Sequence, residues 1–156
     1  GWNSADAASA NRNPRNLDFT GRRILLAEDN TINTEVAVLL LQAKGFIVDT
    51  AETGEQALRC YEASSPYSYD AILMDIRMPV MDGLSAAAAI RRCPRADAAQ
   101  IPIVAMTANA FDDDIAKSLA AGMNAHLAKP IDPDLLYQTL NDLIGNKEEN
   151  PWRTLK

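Results

Sequence analysis

Short apolar runs alternate with stretches of helical periodicity along most of the chain. The first run, Ile24 to Ala27, is apolar at every position and is followed by a polar cluster, which is typical of a buried strand that ends in a loop. Residues 31–44 carry apolar side chains three and four positions apart and stop at Gly45, which predicts a helix. The same alternation predicts four more strands, at residues 46–51, 69–75, 101–107 and 124–128, and four more helices, at residues 54–63, 84–92, 111–121 and 133–144.

Strands that are apolar on both faces and alternate with helices predict a parallel sheet covered by helices on two sides. The crossovers between such strands are right-handed, and roughly 120 residues are too few for an eight-stranded barrel. The predicted fold class is therefore α/β, a flavodoxin-like (βα)5 three-layer sandwich with strand order 2-1-3-4-5. Ligands of such sheets bind beyond the carboxyl ends of the strands.

Polar side chains collect at the predicted carboxyl ends of the strands. Glu28 and Asp29 follow the first strand, Asp75 ends the third, Thr107 ends the fourth and Lys129 follows the fifth. Three carboxylates in one place repel one another unless a cation compensates them, and hard oxygen ligands favour Mg²⁺, with Mn²⁺ as the alternative. A lysine and a hydroxyl suit phosphoryl oxygens, so the set favours phosphoryl transfer to a carboxylate.

A second interpretation of the acids is that they cap helices. Free N–H groups and the helix dipole favour acids at any helix start, and Glu28 and Asp82 fit that role as well as they fit a metal site. Asp75 differs because it ends the apolar run 71–74, where an unpaired charge is costly. We therefore expect Asp75 to be functional.

Four stretches form a recognisable set: residues 24–30 (ILLAEDN), residues 73–83 (LMDIRMPVMDG), residues 106–110 (MTANA) and the pair Lys129-Pro130. With them, the chain resembles the receiver domains of response regulators in two-component phosphorelays, over about residues 22–145. Residues 121–127 (AGMNAHL) make it most similar to receivers attached to hybrid sensor histidine kinases. The resemblance implies a histidine kinase or a histidine phosphotransfer domain as partner.

The resemblance also implies a role for each residue of the site. Asp75 would be the phosphoacceptor, and Mg²⁺ would be held by Glu28, Asp29, Asp75 and the backbone carbonyl of Arg77. The side chains that would contact the phosphoryl group are Thr107 and Lys129. A cis peptide would precede Pro130, and X-Pro bonds are where cis peptides occur.

One position departs from the family pattern. Many receivers carry Tyr or Phe three residues before the active-site lysine as a gate coupled to the Thr, and this chain has His126 there. His126 is either an exposed imidazole without a special role or a modified gate that acts with Thr107 as the switch.

The first predicted helix is more apolar than one buried stripe requires. Ile32, Val38 and Leu39 fall off the face formed by Asn33, Val36, Ala37, Leu40 and Leu41. Ile32 and Leu39 are seven residues apart and share a side. They are either scattered surface residues or a docking patch for a helical partner that carries a phosphohistidine.

Composition narrows the classes of function. Lys and Arg number 15 against 21 Asp and Glu, a net charge of −6, which disfavours binding to nucleic acid or to anionic lipid. No apolar run approaches the roughly 20 residues that span a bilayer. Two cysteines far apart, Cys60 and Cys93, indicate a reducing compartment, so we expect a cytoplasmic domain even where a parent protein is anchored in a membrane.

The sequence predicts a linker at residues 1–21, a receiver domain at residues 22–145 and a tail at residues 146–156. Two other functions compete with the receiver of a hybrid kinase: a free-standing response regulator, and a receiver-like module that binds partners without phosphorylation. A Mg²⁺-dependent phosphohydrolase is disfavoured because Arg77 stands where such enzymes would carry a second acid.

Overall fold

A computed structural model of the protein describes residues 17–108 and 112–145, without the side chains of residues 112–114. Within these residues, five strands alternate with five helices. The elements are β1 (Arg23–Ala27), α1 (Thr31–Gln42), β2 (Ile47–Ala51), α2 (Gly54–Ala63), β3 (Ala71–Asp75), α3 (Gly83–Arg91), β4 (Ile103–Thr107), α4 (Asp112–Ala120), β5 (Ala125–Ala128) and α5 (Pro133–Ile144).

The five strands form one parallel sheet in the order β2-β1-β3-β4-β5, which confirms the predicted fold class and strand order. β1 lies between β2 and β3, and Ala27 is paired with Met74. Asp75 is paired with Met106, and Thr107 with Ala128. This register brings the carboxyl ends of β1, β3, β4 and β5 to one edge of the sheet.

Two hydrophobic clusters cover the two faces of the sheet. One joins the sheet to α2 and α3 through Tyr61, Ala86 and Ile90, and the other joins it to α1 and α5 through Leu41 and Leu140. All five residues of β3 and of β4 are buried. Burial on both faces is the reason that these strands are continuous apolar runs rather than alternating ones.

Four strands begin one or two residues later than predicted. Tyr69 and Ile101 are buried although they precede β3 and β4. An apolar run in the sequence indicates which residues are buried, whereas a strand also requires hydrogen bonds to a neighbouring strand. The apolar run therefore starts earlier than the strand. The predicted fourth helix, residues 111–121, is observed as α4, and residue 111 lies outside the described residues.

The predicted buried face of α1 was wrong in part. Its buried residues are Ala37 and Leu41, and Val38 packs at the edge of the cluster although the sequence placed it off the face. Val36, which the sequence placed on the buried face, is 47% exposed. The periodicity correctly predicts a helix, but the rotation of the helix about its axis depends on the residues that it meets on the sheet.

The packed unit begins before the predicted boundary at residue 22. Phe19 is 2% exposed and stacks on Phe46 with 4.5 Å between the ring centroids. Its backbone N–H donates to the carbonyl of Lys44 over 2.8 Å. Residues 17–21 therefore pack with the domain: Phe19 docks on the connection between α1 and β2, and Leu17 packs against the same hydrophobic cluster. The rest of the predicted linker, residues 1–16, and the predicted tail, residues 146–156, lie outside the described residues.

Candidate functional site

The carboxyl edge of the sheet brings together the acids and the lysine that the sequence singles out. Glu28 and Asp29 follow β1, Asp75 ends β3 and Lys129 follows β5. Carboxylate oxygens of the three acids lie within 4.8 Å of one another. Residues distant along the chain therefore form one pocket.

Asp75 is the buried centre of this site, with 4% of its surface exposed. One carboxylate oxygen, Oδ1, accepts from the backbone N–H of Arg77 over 3.1 Å. The other, Oδ2, accepts from Lys129 Nζ over 2.7 Å. Gly83 allows this arrangement, because a Cβ on that residue would lie 2.1 Å from the backbone oxygen of Asp75.

Glu28 is buried even more completely, at 2% exposed. Lys129 Nζ lies 2.8 and 2.9 Å from its two oxygens, and Asn33 Nδ2 donates to Oε1 over 2.7 Å. Burial, together with the neighbouring Asp75 carboxyl, raises the pKa of Glu28 from 4.5 to about 7, against the opposing effects of Lys129 and Asn33. Glu28 is therefore poised between its two protonation states near neutral pH.

Lys129 is the cation that Glu28 and Asp75 share in this structure. Burial alone would lower its pKa, but the hydrogen bonds to Asp75 and Glu28 outweigh burial and raise it. Its backbone N–H donates to the carbonyl of Thr107 over 2.8 Å. The Lys129–Pro130 peptide is cis, which confirms the isomer that the family resemblance implies.

The helix caps separate the two interpretations of the acids. Asn30, not Glu28, caps α1 by accepting from the N–H of Asn33, and Asp82 caps α3 by accepting from the N–H of Ser85. Glu28 instead points its carboxylate at Lys129. Asp82 is a cap, whereas Glu28 belongs to the acidic site.

The remaining predicted residues lie on or next to β1, β3, β4, β5 and α1. Asp29 is exposed, Thr107 is 3% exposed at the end of β4, and Arg77 is exposed in the loop after β3. His126 is exposed on β5, where it is paired with Ala105 rather than with Thr107. Ile32 and Leu39 are 70% and 68% exposed on α1, as the sequence predicts.

Asn33 is a site residue that the sequence analysis missed. Its amide holds Glu28 in place, yet the periodicity of α1 assigned it only to a helix face. The sequence signal was spacing. Asn33 lies five residues after Glu28, in the first turn of a helix that begins just after this acid.

The donor set fits a hard divalent cation. All three acids offer carboxylate oxygens, and the described residues bring no sulfur or imidazole ligand into this cluster. Oxygen ligands of this kind are typical of Mg²⁺ sites, where a few carboxylates share the ion with water and with a phosphate. The residues present are therefore compatible with that ion.

The protein is therefore an α/β domain with three carboxylates and a lysine at the carboxyl edge of its parallel sheet, and the chemistry of these groups suits a divalent cation and a phosphoryl group. The family model described as the response regulator receiver domain matches residues 24–141. The chain belongs to this family, and it is a receiver domain of the two-component, phosphorelay type.

The relatives with curated descriptions include many histidine kinases. The chain is 43% identical over 125 residues to hybrid signal transduction histidine kinase I of Dictyostelium discoideum, a match that covers 79% of this chain. It is 36% identical over 162 residues to histidine kinase 1 of Arabidopsis thaliana, which covers 85% of this chain. The chain spans 7% and 13% of the lengths of these two proteins.

Solved structures give the same fold. The receiver domain of the sensor histidine kinase PA1611 from Pseudomonas aeruginosa PAO1, described with a magnesium ion in its active-site cleft, is 42% identical with a TM-score of 0.73 and covers 81% of this chain and 100% of its own. The Vibrio cholerae chemotaxis protein CheY4 is 27% identical with a TM-score of 0.71 and covers 78% of this chain and 98% of its own. Among the described helices of the present chain, none has the length and apolar character needed to cross a bilayer.

Proposed function

We propose that Asp75 accepts a phosphoryl group from a phosphohistidine on a histidine kinase or on a histidine phosphotransfer domain. The observation that carries this proposal is the placement of Asp75, a buried carboxylate whose Oδ2 contacts Lys129 Nζ. Burial without a use for the charge would be costly. A phosphoacceptor in a phosphorelay needs such a carboxylate, which accounts for its burial.

In this reaction, one oxygen of the Asp75 carboxylate attacks phosphorus and forms the new P–O bond. The P–N bond to the imidazole breaks, and the electron pair of that bond stays on the imidazole nitrogen of the donor. The donor ring carries a proton on its other nitrogen, so that it leaves as a neutral imidazole. Phosphoryl transfer depends mainly on positioning and on neutralising charge. Lys129 supplies a positive charge at the site, and Thr107 offers a hydroxyl at the end of the neighbouring strand.

Mg²⁺ is the divalent ion that we propose for the site, held by Glu28, Asp29, Asp75 and the backbone carbonyl of Arg77. Mn²⁺ offers the same preference for oxygen ligands. When bound, the ion neutralises charge on the phosphoryl oxygens. The three-carboxylate cluster and the magnesium-containing relative support this assignment.

The switch that follows phosphorylation involves Thr107, Lys129 and His126. Lys129 is joined through its backbone to Thr107, and β5 carries His126 three residues before Lys129. A phosphoryl group on Asp75 competes for the lysine that now binds Glu28 and Asp75. We expect this competition to be transmitted to β4 and β5.

The donor docks on α1 at Ile32 and Leu39. The parent protein is a hybrid sensor histidine kinase, and its receiver domain lies in the cytoplasm. Exposed apolar residues on a helix beside the site support the docking position. The chain matches only a small part of the length of each histidine kinase relative, which supports a longer parent protein of this kind. We assign this domain no nucleic acid partner, in line with its net charge of −6.

A labelling experiment tests the function. The chain is incubated with Mg²⁺ and phosphoramidate, and intact-mass spectrometry measures the phosphoryl groups per chain. We expect one group on the unsubstituted chain and none on Asp75→Asn. Asp82→Asn is the matched control, because Asn also caps helices, and it should be labelled normally. Labelling of Asp75→Asn, or none of the unsubstituted chain, contradicts the proposal.

A further inference from the structure

Asn33 gives the carboxylate of Glu28 a hydrogen bond that carries no charge. Its Nδ2 donates to Glu28 Oε1 over 2.7 Å. The same carboxylate also accepts from Lys129 Nζ, over 2.8 Å at Oε1 and over 2.9 Å at Oε2. Glu28 is therefore held by a neutral amide at one oxygen and by an ammonium group at both.

The start of α1 fixes the direction of this amide. Asn30 caps the helix by accepting from the backbone N–H of Asn33 over 3.0 Å, and Thr34 Oγ1 donates to the backbone carbonyl of Asn30 over 3.0 Å. The first turn of α1 is thereby tied to the loop that carries Glu28. Groups placed on helices hold their geometry more precisely than groups on loops, so Asn33 can hold the carboxylate while other groups of the site move.

Lys129 has a second task that takes it away from Glu28. Its Nζ also contacts Asp75 Oδ2 over 2.7 Å, and a phosphoryl group on Asp75 would bring oxygens that form strong, charge-assisted hydrogen bonds with an ammonium group. An ammonium group beside Glu28 also repels a divalent cation. An amide carries no charge, so Asn33 can keep its hydrogen bond when a cation is bound.

We propose that Asn33 is a positioning residue for the divalent ion: it holds Oε1 of Glu28 when Lys129 turns to the phosphoryl group, so that Glu28 stays oriented as a metal ligand. The inference rests on the proposed function, because Glu28 needs this support only if the site binds Mg²⁺ and Asp75 is phosphorylated. Carboxylates that bind metals are commonly hydrogen-bonded by such outer residues, and loss of one outer residue costs about tenfold or more in metal affinity.

Two other roles for Asn33 predict different results. If the amide competes with the ion for Glu28, its removal strengthens Mg²⁺ binding. If Asn33 is only a polar residue at the start of a helix, its removal leaves Mg²⁺ binding unchanged. The sign of the change in affinity therefore separates the three roles.

The first experiment measures Mg²⁺ binding by calorimetric titration of the unphosphorylated chain at pH 8. We expect the dissociation constant to rise about tenfold in Asn33→Ala. The helix should persist in this variant, because Ala is a better helix former than Asn and the cap at Asn30 uses a backbone N–H. Asn33→Leu keeps most of the volume without the amide and should lose as much. The control Gln42→Ala removes an exposed amide from the other end of α1 and should bind normally.

The second experiment measures the rate of labelling by phosphoramidate as a function of Mg²⁺ concentration. We expect Asn33→Ala to raise the half-saturating Mg²⁺ concentration about tenfold and to change the rate at saturating Mg²⁺ by about twofold or less. A positioning residue for the ion has this effect because excess ion compensates for weaker binding. A lower rate at saturation with an unchanged half-saturating concentration would overturn the proposal.

The third experiment asks whether Asn33 takes over from Lys129. Lys129→Met removes the ammonium group, so that the amide of Asn33 remains on Glu28. We expect Asn33→Ala to weaken Mg²⁺ binding at least about threefold more in this background than in the unsubstituted chain, since residues that share a partner are not additive. Circular dichroism verifies that each variant is folded. An equal effect in the two backgrounds would show that Asn33 does not replace Lys129 on Glu28.

The outcomes separate this inference from the proposed function. If the unsubstituted chain binds no Mg²⁺ or is not labelled by phosphoramidate, the proposed function is wrong. If it binds Mg²⁺ and is labelled, but Asn33→Ala binds Mg²⁺ equally or more tightly, only the role of Asn33 is wrong. Normal binding by Asn33→Leu would attribute the loss in Asn33→Ala to packing and would also overturn that role.

Discussion

Lys129 Nζ lies 2.7 Å from Asp75 Oδ2, although the two residues are 54 positions apart in the chain. The same ammonium group lies within 2.9 Å of both oxygens of Glu28. One lysine thus compensates two buried carboxylates. We therefore expect Lys129 to affect the stability of the domain as well as its phosphorylation.

Lys129→Met is expected to lower the free energy of unfolding by about 3 kcal/mol at pH 8 without divalent ions, because it leaves two buried carboxylates unpaired. Chemical denaturation measures this change. Addition of Mg²⁺ should restore part of the loss. Lys117→Met removes an exposed lysine on α4 and should alter stability by about 0.5 kcal/mol or less; equal losses in the two variants would disprove the shared role of Lys129.

Mg²⁺ affinity is expected to rise about tenfold between pH 6 and pH 8, because the ion must displace the proton of Glu28, whose pKa is about 7. Calorimetric titration at several pH values measures this dependence. Glu28→Gln should weaken binding and abolish most of the pH dependence. Glu52→Gln, an exposed acid outside the cluster, should retain it.

The stability of the metal-free protein is expected to fall with rising pH, whereas the Mg²⁺ affinity rises. The folded-state pKa of Glu28 is raised from 4.5 to about 7, so the folded state binds more protons than the unfolded chain between these values. The contribution of Glu28 is full below pH 4.5 and is lost as the pH rises through 7. Thermal unfolding with and without Mg²⁺ should therefore diverge as the pH increases, and parallel curves would argue against Glu28 as a ligand.

Gly83→Ala is expected to destabilise the protein by about 3 kcal/mol and to slow phosphorylation of Asp75. A Cβ at this position would lie 2.1 Å from the backbone oxygen of Asp75 and 2.9 Å from Met74 Cγ, so β3 or the start of α3 must shift. Denaturation and the phosphoramidate rate measure the two effects. Ser85→Ala, two residues further on and exposed, should be nearly neutral.

Phe19→Ala is expected to cost about 3 kcal/mol of stability, since the ring is buried and stacks on Phe46. A chain that starts at residue 22 should show the same loss, whereas one that starts at residue 17 should not. Leu39→Ala, on the exposed side of α1, should change stability by about 0.5 kcal/mol or less. If the chain that starts at residue 22 were as stable as the longer one, residues 17–21 would not contribute to the stability of the domain.

The reactivity of His126 is expected to fall when Asp75 is phosphorylated. The imidazole is exposed before phosphorylation, and a gate that acts with Thr107 must turn inwards. Modification by diethyl pyrocarbonate reports on this residue without ambiguity, because it is the single histidine of the chain. Asp75→Asn serves as the unphosphorylated control. Equal reactivity in both forms would favour the interpretation that His126 is an exposed imidazole without a special role.

The sequence predicts the fold well because strands buried on both faces form continuous apolar runs and helices show their own period. It predicts the site because parallel strands bring their carboxyl ends together. Three features escaped prediction for physical reasons. Periodicity does not determine how α1 is rotated on the sheet, polar contacts such as Asn33 with Glu28 depend on that rotation, and an isolated aromatic residue such as Phe19 has no period to reveal its burial.

Contacts within the site join Glu28 to Lys129, which are 101 positions apart. If this site holds the phosphoryl group as we propose, both ends of this span must be in place first, so we expect a nascent chain that ends before residue 129 not to be phosphorylated. On the same proposal, we expect the amount of phosphate that a preparation incorporates to report how many of its molecules are folded over this whole span.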